Sequence, residues 1–168
     1  IAEEKNIAYC HTKERKLKLD VFYPTEKTEK KRTAVIFIHG GGWRSGNKAM
    51  HYPLLQELAA LGYVCITPEY RLSTEALYPA AIHDIKSSKV NAVIDLDGTL
   101  VFIHPESGEG DDSKRISAAT YWFGYSKTEN PELWKQAAPL THVGKHTPPT
   151  KFINSSVTRM HAGREDFI

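Results

Sequence analysis

From Lys16 to Tyr23 (Lys-Leu-Lys-Leu-Asp-Val-Phe-Tyr) polar and apolar residues alternate, the period of a half-buried strand. Pro24 to Arg32 is polar and reads as a turn. Thr33–Ile38 is a continuous apolar run, which predicts a central strand buried on both faces. Between Met50 and Leu61 the leucines 54, 55, 58 and 61 recur at helical spacing, and Gly62 closes that helix. Tyr63–Pro68 predicts a second buried strand, and Pro79–Lys86 a helix with proline at its first turn. The order strand, helix, strand, helix predicts an α/β fold: a mostly parallel sheet with helices on both faces.

The second half resumes with a strand over 89–95, ending at Asp95-Leu-Asp-Gly98. Phe102 to Arg115, rich in Gly, Asp, Glu and Ser, reads as loop. Asn130–Ala137 predicts a short helix with Asn130 as N-cap and Pro131 at its first position. Lys151–Asn154, after Pro148-Pro149, predicts a last strand, and a helix is expected to open near His161.

Composition narrows the classes. The 168 residues, 40% hydrophobic, suffice for one ordinary domain. A net charge of +2, from 22 basic and 20 acidic residues, gives no reason to expect nucleic acid as a partner. No apolar run approaches the length of a membrane span. Cys65 lies inside an apolar run and is expected as a core thiol; two cysteines alone give no ground for a disulfide and leave the redox compartment open. The chain starts at Ile1 rather than Met, so the lack of a leader carries no information about its compartment.

The chemistry concentrates in His39-Gly40-Gly41-Gly42-Trp43, directly after a predicted strand. Three glycines leave backbone N–H groups uncovered by any Cβ, so the loop can close around an oxygen gaining negative charge. That is half of an acyl-transfer site. The other half, a serine on a sharp Gly-x-Ser-x-Gly turn, is absent from these residues.

Residues 15–86 resemble the α/β-hydrolase esterases that carry a His-Gly-Gly-Gly loop. The matching pieces are Leu19–Pro24, Ala34–Gly46, Thr67–Leu72, Glu75-Ala76 and Pro79–Asp84. The resemblance implies a serine-type carboxylic ester hydrolase with Gly41 and Gly42 as oxyanion donors. His39, Gly40 and Trp43 would shape the loop. Arg71 would hold it, or a neighbouring carboxylate, by a bidentate contact, and Asp84 would cap or brace its helix. No metal or organic cofactor is implied, and the expected partner is a small-molecule or polysaccharide ester.

The resemblance also exposes a gap. Gly124-Tyr-Ser126 lacks the second glycine of an elbow, and Ser107 has no strand before it. Roughly 60–80 residues of such α/β units, including a central strand, are missing between Lys86 and Ser87. The expected organisation is a single incomplete domain, 1–86 with the oxyanion loop and 87–168 as the C-terminal half. The family's acid follows the strand ending at Asn154, where Thr158 stands in the usual aspartate's position. Asp166 is the first candidate, with Glu165, Asp95 and Asp97 as alternatives. None of the eight histidines occupies the expected place, since His161 precedes the last strand of such a fold, so the base is expected after Ile168.

Two further likenesses compete. Ala92–Val101 (Ala-Val-Ile-Asp-Leu-Asp-Gly-Thr-Leu-Val) resembles the first motif of haloacid-dehalogenase-type phosphatases. That family would assign Asp95 as nucleophile, Asp97 as acid/base, Mg²⁺ as cofactor and Ser155 as a phosphate donor. Val90–Ile168 more loosely resembles bacterial esterases of plant cell-wall polysaccharides, through His104–Gly110, Asn130–Leu140 and Asn154–Ser156. It implies an acetyl or methyl ester on a sugar, a secreted or periplasmic setting, and sugar stacking by Trp122, Tyr125 or Trp134. A non-catalytic hydrolase-fold protein is the third possibility.

Overall fold

The computed structural model describes residues 1–86 and 91–167. The chain divides into two compact units, Ile1–Lys86 and Ser87–Ile168. The expected interruption falls at this boundary, but Ser87 lies outside the described residues, as do positions 89 and 90 of the predicted strand.

The first unit carries a four-stranded mixed sheet in the order β1-β2-β4-β3. Its strands are β1 (Ala2–His11), β2 (Lys16–Tyr23), β3 (Ala34–Ile36) and β4 (Val64–Pro68). The expectation of a mostly parallel sheet is corrected here: β1–β2 and β2–β4 are antiparallel, and only β3–β4 is parallel. The connections decide it. Four residues join β1 to β2, which permits only a reversal, whereas β3 reaches β4 through a helical crossover. Thr12 makes the reversal, its Oγ1 accepting from the N–H of Glu14 and Arg15.

The crossover helix α1 (Tyr52–Ala60) turns Leu55 and Ala59, one helical turn apart, onto the sheet. Both are fully buried with Phe22 and Cys65, and Val35, Phe37, Tyr52 and Leu58 pack around them. Leu61 lies just beyond α1 and is exposed. A shorter helix, α2 (Ala80–Ile85), ends the unit.

The central-strand expectation for Thr33–Ile38 is also corrected. β3 has only three residues and lies at the sheet edge, so Ile36 and Ile38 are 39% and 50% exposed. Its apolar sequence fits two neighbours, and among the described residues it has one, β4.

A buried polar knot ties this unit together. The Asp20 carboxylate, fully buried, accepts from the Lys48 ammonium, the Tyr52 hydroxyl and the Asn6 backbone N–H. Burial alone would raise its pKa, but the Lys48, Tyr52 and Asn6 donors together hold it below the ordinary value. A carboxylate depressed in the folded state contributes its stability above the unfolded pKa of about 3.9, and that contribution is lost as pH falls through the folded value. Urea melts at pH 7, 5 and 3 should therefore show a stability loss confined to the acid end. Asp20→Asn should flatten that dependence, and an equally steep loss in the variant would count against this role.

The second unit holds β5 (Val93–Leu96) and β6 (Thr150–Ile153), paired in parallel. Its helices are α3 (Ala118–Phe123), α4 (Pro131–Ala137) and α5 (Arg164–Phe167). Asn130 caps α4 as predicted, its Oδ1 accepting from Leu133 N–H at 3.2 Å. Phe102, Trp122, Phe123 and Trp134 form an aromatic core with ring centroids 4.5–6.1 Å apart. Trp122 and Trp134 are 1% and 0% exposed, so they are core residues rather than sugar platforms. Tyr125 is 52% exposed.

Candidate active site

The loop after β3 fixes two consecutive peptide units by their carbonyls. The peptide units Gly40–Gly41 and Gly41–Gly42 are trans, so each N–H points opposite to its own C=O. Fixing a carbonyl therefore aims the amide behind it.

His39 fixes the first. Its Nδ1 lies 2.9 Å from the Gly40 carbonyl oxygen. A carbonyl can only accept, so Nδ1 carries the proton and the ring is the donor. The ring is buried, stacks on Tyr70 with centroids 4.4 Å apart, and cannot swing away. Tyr70 adds a second tie, its hydroxyl donating to the His39 carbonyl at 2.7 Å. Burial pushes that phenol up to about 12, so it remains a donor at neutral pH.

The second carbonyl, that of Gly41, accepts from Arg44 N–H at 3.2 Å, Ser45 N–H at 3.1 Å and Ser45 Oγ at 3.1 Å. Gly41 has φ +125°, and a Cβ there would stand 2.0 Å from the Ser45 carbonyl oxygen. Gly42 and Trp43 follow at φ +58° and +57°, a left-handed pair in which Trp43 is the unusual member. Ser73 N–H holds the Trp43 carbonyl at 2.7 Å. Gly41 and Gly42 are exposed residues, and their N–H groups donate to no group among the described residues. Two adjacent amides with no acceptor are the kind of donors an oxyanion takes.

Gly46 completes the loop at φ +103°. A Cβ there would fall 2.5 Å from the Gly40 carbonyl oxygen and 2.6 Å from His39 Nδ1. Ser45, Gly46 and Ser73 have no signature of their own in the sequence; Gly46 only ends the matching stretch Ala34–Gly46.

Arg71 takes the carboxylate role, not that of a loop clamp. Its N–H and Nε reach Asp84 Oδ2 at 2.9 and 3.0 Å, and Nη2 reaches Oδ1 at 2.8 Å. This bidentate contact joins the chain after β4 to α2.

In the second unit the candidate acids separate. Asp166 is exposed and lies 3.5 Å from His104 Nε2, while Glu165 pairs with Arg164 on the surface. Asp95, one residue before the end of β5, accepts from Gly98 N–H through Oδ2 at 3.2 Å. Burial raises its pKa, opposed by the Gly98 amide and assisted by the Asp97 charge. Asp97, left-handed at φ +53°, accepts from Ser155 N–H at 2.7 Å, and this contact leads the lowering of its pKa. Thr158 opens a short 3₁₀ turn, and His161 Nε2 is bonded to the Ser155 carbonyl at 2.7 Å. Among the described residues no three His, Cys, Asp or Glu side chains gather where they could hold a metal ion.

Ser126 is not an elbow. It lies beyond the end of α3, and its N–H and hydroxyl both donate to Glu129 at 2.7 Å. Ser107 donates to the Val101 carbonyl from within a loop. Among the described residues no helix is long and apolar enough to cross a membrane.

Residues 19–88 match the family model described as BD-FAE, an α/β-hydrolase esterase family. Esterase LipC of Mycobacterium tuberculosis is 35% identical over 71 residues, 42% of this chain and 18% of that protein. Esterase LipQ of the same organism is 23% identical, covering 78% of this chain and 43% of the relative. The chain thus spans less than half the length of either curated relative. The LipQ alignment runs over 182 positions but draws on only 78% of 168 residues, leaving about 50 positions of the relative without a counterpart here. Among solved structures, a truncated carbohydrate esterase from gut microbiota superposes with a TM-score of 0.70 at 18% identity, over 92% of this chain and 76% of the other. That likeness establishes a shared fold.

Proposed function

We propose that this chain is the oxyanion-loop scaffold of a single-domain serine carboxylic ester hydrolase, acting on acetyl or methyl esters of plant cell-wall polysaccharide. The observation that carries the reading is the amide pair of Gly41 and Gly42, which donates to no described group while the Gly40 and Gly41 carbonyls of the same peptide units are clamped. In acyl transfer the carbonyl oxygen of the ester becomes an oxyanion as the serine attacks. Each donor waiting at that position is worth roughly 3–4 kcal/mol. The polysaccharide substrate is supported by the name of the gut carbohydrate esterase whose fold is shared.

The nucleophile and base come from residues outside those described. Two observations support an interruption after Lys86. The family match ends at residue 88, and β3 offers an open parallel edge with Ile36 and Ile38 exposed. A strand there would be the central neighbour that the apolar sequence of β3 fits, and a Gly-x-Ser-x-Gly elbow would follow it. Asp166, whose partner is His104, is the first candidate for the acid.

The full chain should hydrolyse 4-nitrophenyl acetate and release acetate from acetylated xylan without added Mg²⁺, and a fluorophosphonate should label one serine. Gly41→Pro removes one donor and should lower kcat by about 10²–10³. Turnover unchanged in Gly41→Pro would refute the oxyanion role. Mg²⁺-dependent release of phosphate lost in Asp95→Asn, with no ester turnover, would replace this reading by the phosphatase one. Peptide mass mapping that finds Lys86 joined directly to Ser87 would refute the interruption.

A further inference from the structure

We infer that Ser45 is a positioning residue for the second oxyanion donor, acting through the carbonyl of Gly41. The inference rests on the ester-hydrolase reading for its consequence, not for its geometry. The Gly42 N–H can serve an oxyanion only if the Gly41–Gly42 peptide plane is held still. That plane has no ring clamp of the kind His39 gives the preceding one. Its carbonyl is held by two backbone donors at 3.1 and 3.2 Å, both at the long end of the hydrogen-bond range, and by the Ser45 hydroxyl at 3.1 Å. The hydroxyl is the one side-chain donor of the three.

The two clamps also differ in setting. His39 is 4% exposed and packed under Tyr70, whereas Ser45 is exposed. The Gly41 plane is thus fixed by packing, and the Gly42 plane by hydrogen bonds facing water. The second donor is therefore the softer of the two, and Ser45 is what stiffens it. Because an oxyanion exists only along the reaction, loosening its donor should lower kcat and leave KM alone.

In the full chain, Ser45→Ala should reduce kcat for 4-nitrophenyl acetate about three- to tenfold with KM unchanged, the range of one hydrogen bond's net worth. Ser45→Thr, which keeps the hydroxyl, should restore it. Independently of turnover, the Gly42 amide proton should shift and exchange faster in Ser45→Ala while the Gly41 amide holds. An unchanged Gly42 amide would overturn the inference, as would equal kcat losses in the Ala and Thr variants. Should the wild-type chain hydrolyse no ester, the proposed function fails while the amide measurement still decides the role of Ser45.

Discussion

Gly46→Ala is expected, under the proposed function, to lower ester turnover by about 10²-fold or more, the cost of losing one oxyanion donor. The reason is local. The added methyl would lie 2.5 Å from the Gly40 carbonyl oxygen and 2.6 Å from His39 Nδ1, directly against the bond that aims the Gly41 amide. Neither neighbour can retreat easily. The carbonyl is backbone, and the imidazole is pinned against Tyr70. The backbone at φ +103° is itself unfavourable for alanine, which adds strain. Steady-state kinetics with a thermal melt separates the outcomes. A folded variant with wild-type kcat would show that the His39–Gly40 contact does not control the donor pair.

Arg71→Met is expected to destabilise the first unit by about 3–5 kcal/mol, the range for breaking a buried ion pair by removing one partner. The Asp84 side chain is 3% exposed and takes three hydrogen bonds from Arg71, two from the guanidinium and one from its backbone N–H. With the guanidinium gone a charged carboxylate stays buried. The double variant Arg71→Met/Asp84→Leu should recover most of the loss, since it removes the orphaned charge as well. Urea denaturation of the three proteins measures the coupling. A single-variant loss below about 1 kcal/mol would place the pair among surface contacts.

Much of this architecture was legible in the sequence because it rests on local period. β2, β4, α1 and α4 each carry their own pattern or cap. β1 carries none: its residues 3–8 are all exposed, so no alternation marks it. α3 has six residues and hides in an aromatic run too short to display helical periodicity. The edge position of β3 was not legible either, because its composition describes a strand with two neighbours. At the site, the three glycines marked the loop, but the clamps depend on carbonyl direction. Nothing in the string of letters brings Gly46 against His39, or Ser73 against Trp43. The acid shows the same limit: Asp166 and Asp97 look equivalent as letters, and only the fold gives one a histidine and the other a backbone amide.

The buried knot around Asp20 has one more effect. Lys48 stands two residues beyond Gly46, at the downstream foot of the glycine loop. Its ammonium is held by Asp20 of β2 and by Asn6 Oδ1 of β1, and its carbonyl accepts from Thr67 of β4. The loop is thereby moored to three strands at once, one of them the outermost. Asn6 reaches this mooring only by adopting φ +61° within an irregular stretch of β1. The N-terminal strand, which contributes almost nothing to the apolar core, is in this sense part of the foundation of the glycine loop. Damage at the rim of the sheet would register as lost precision in the loop before it registered as lost fold.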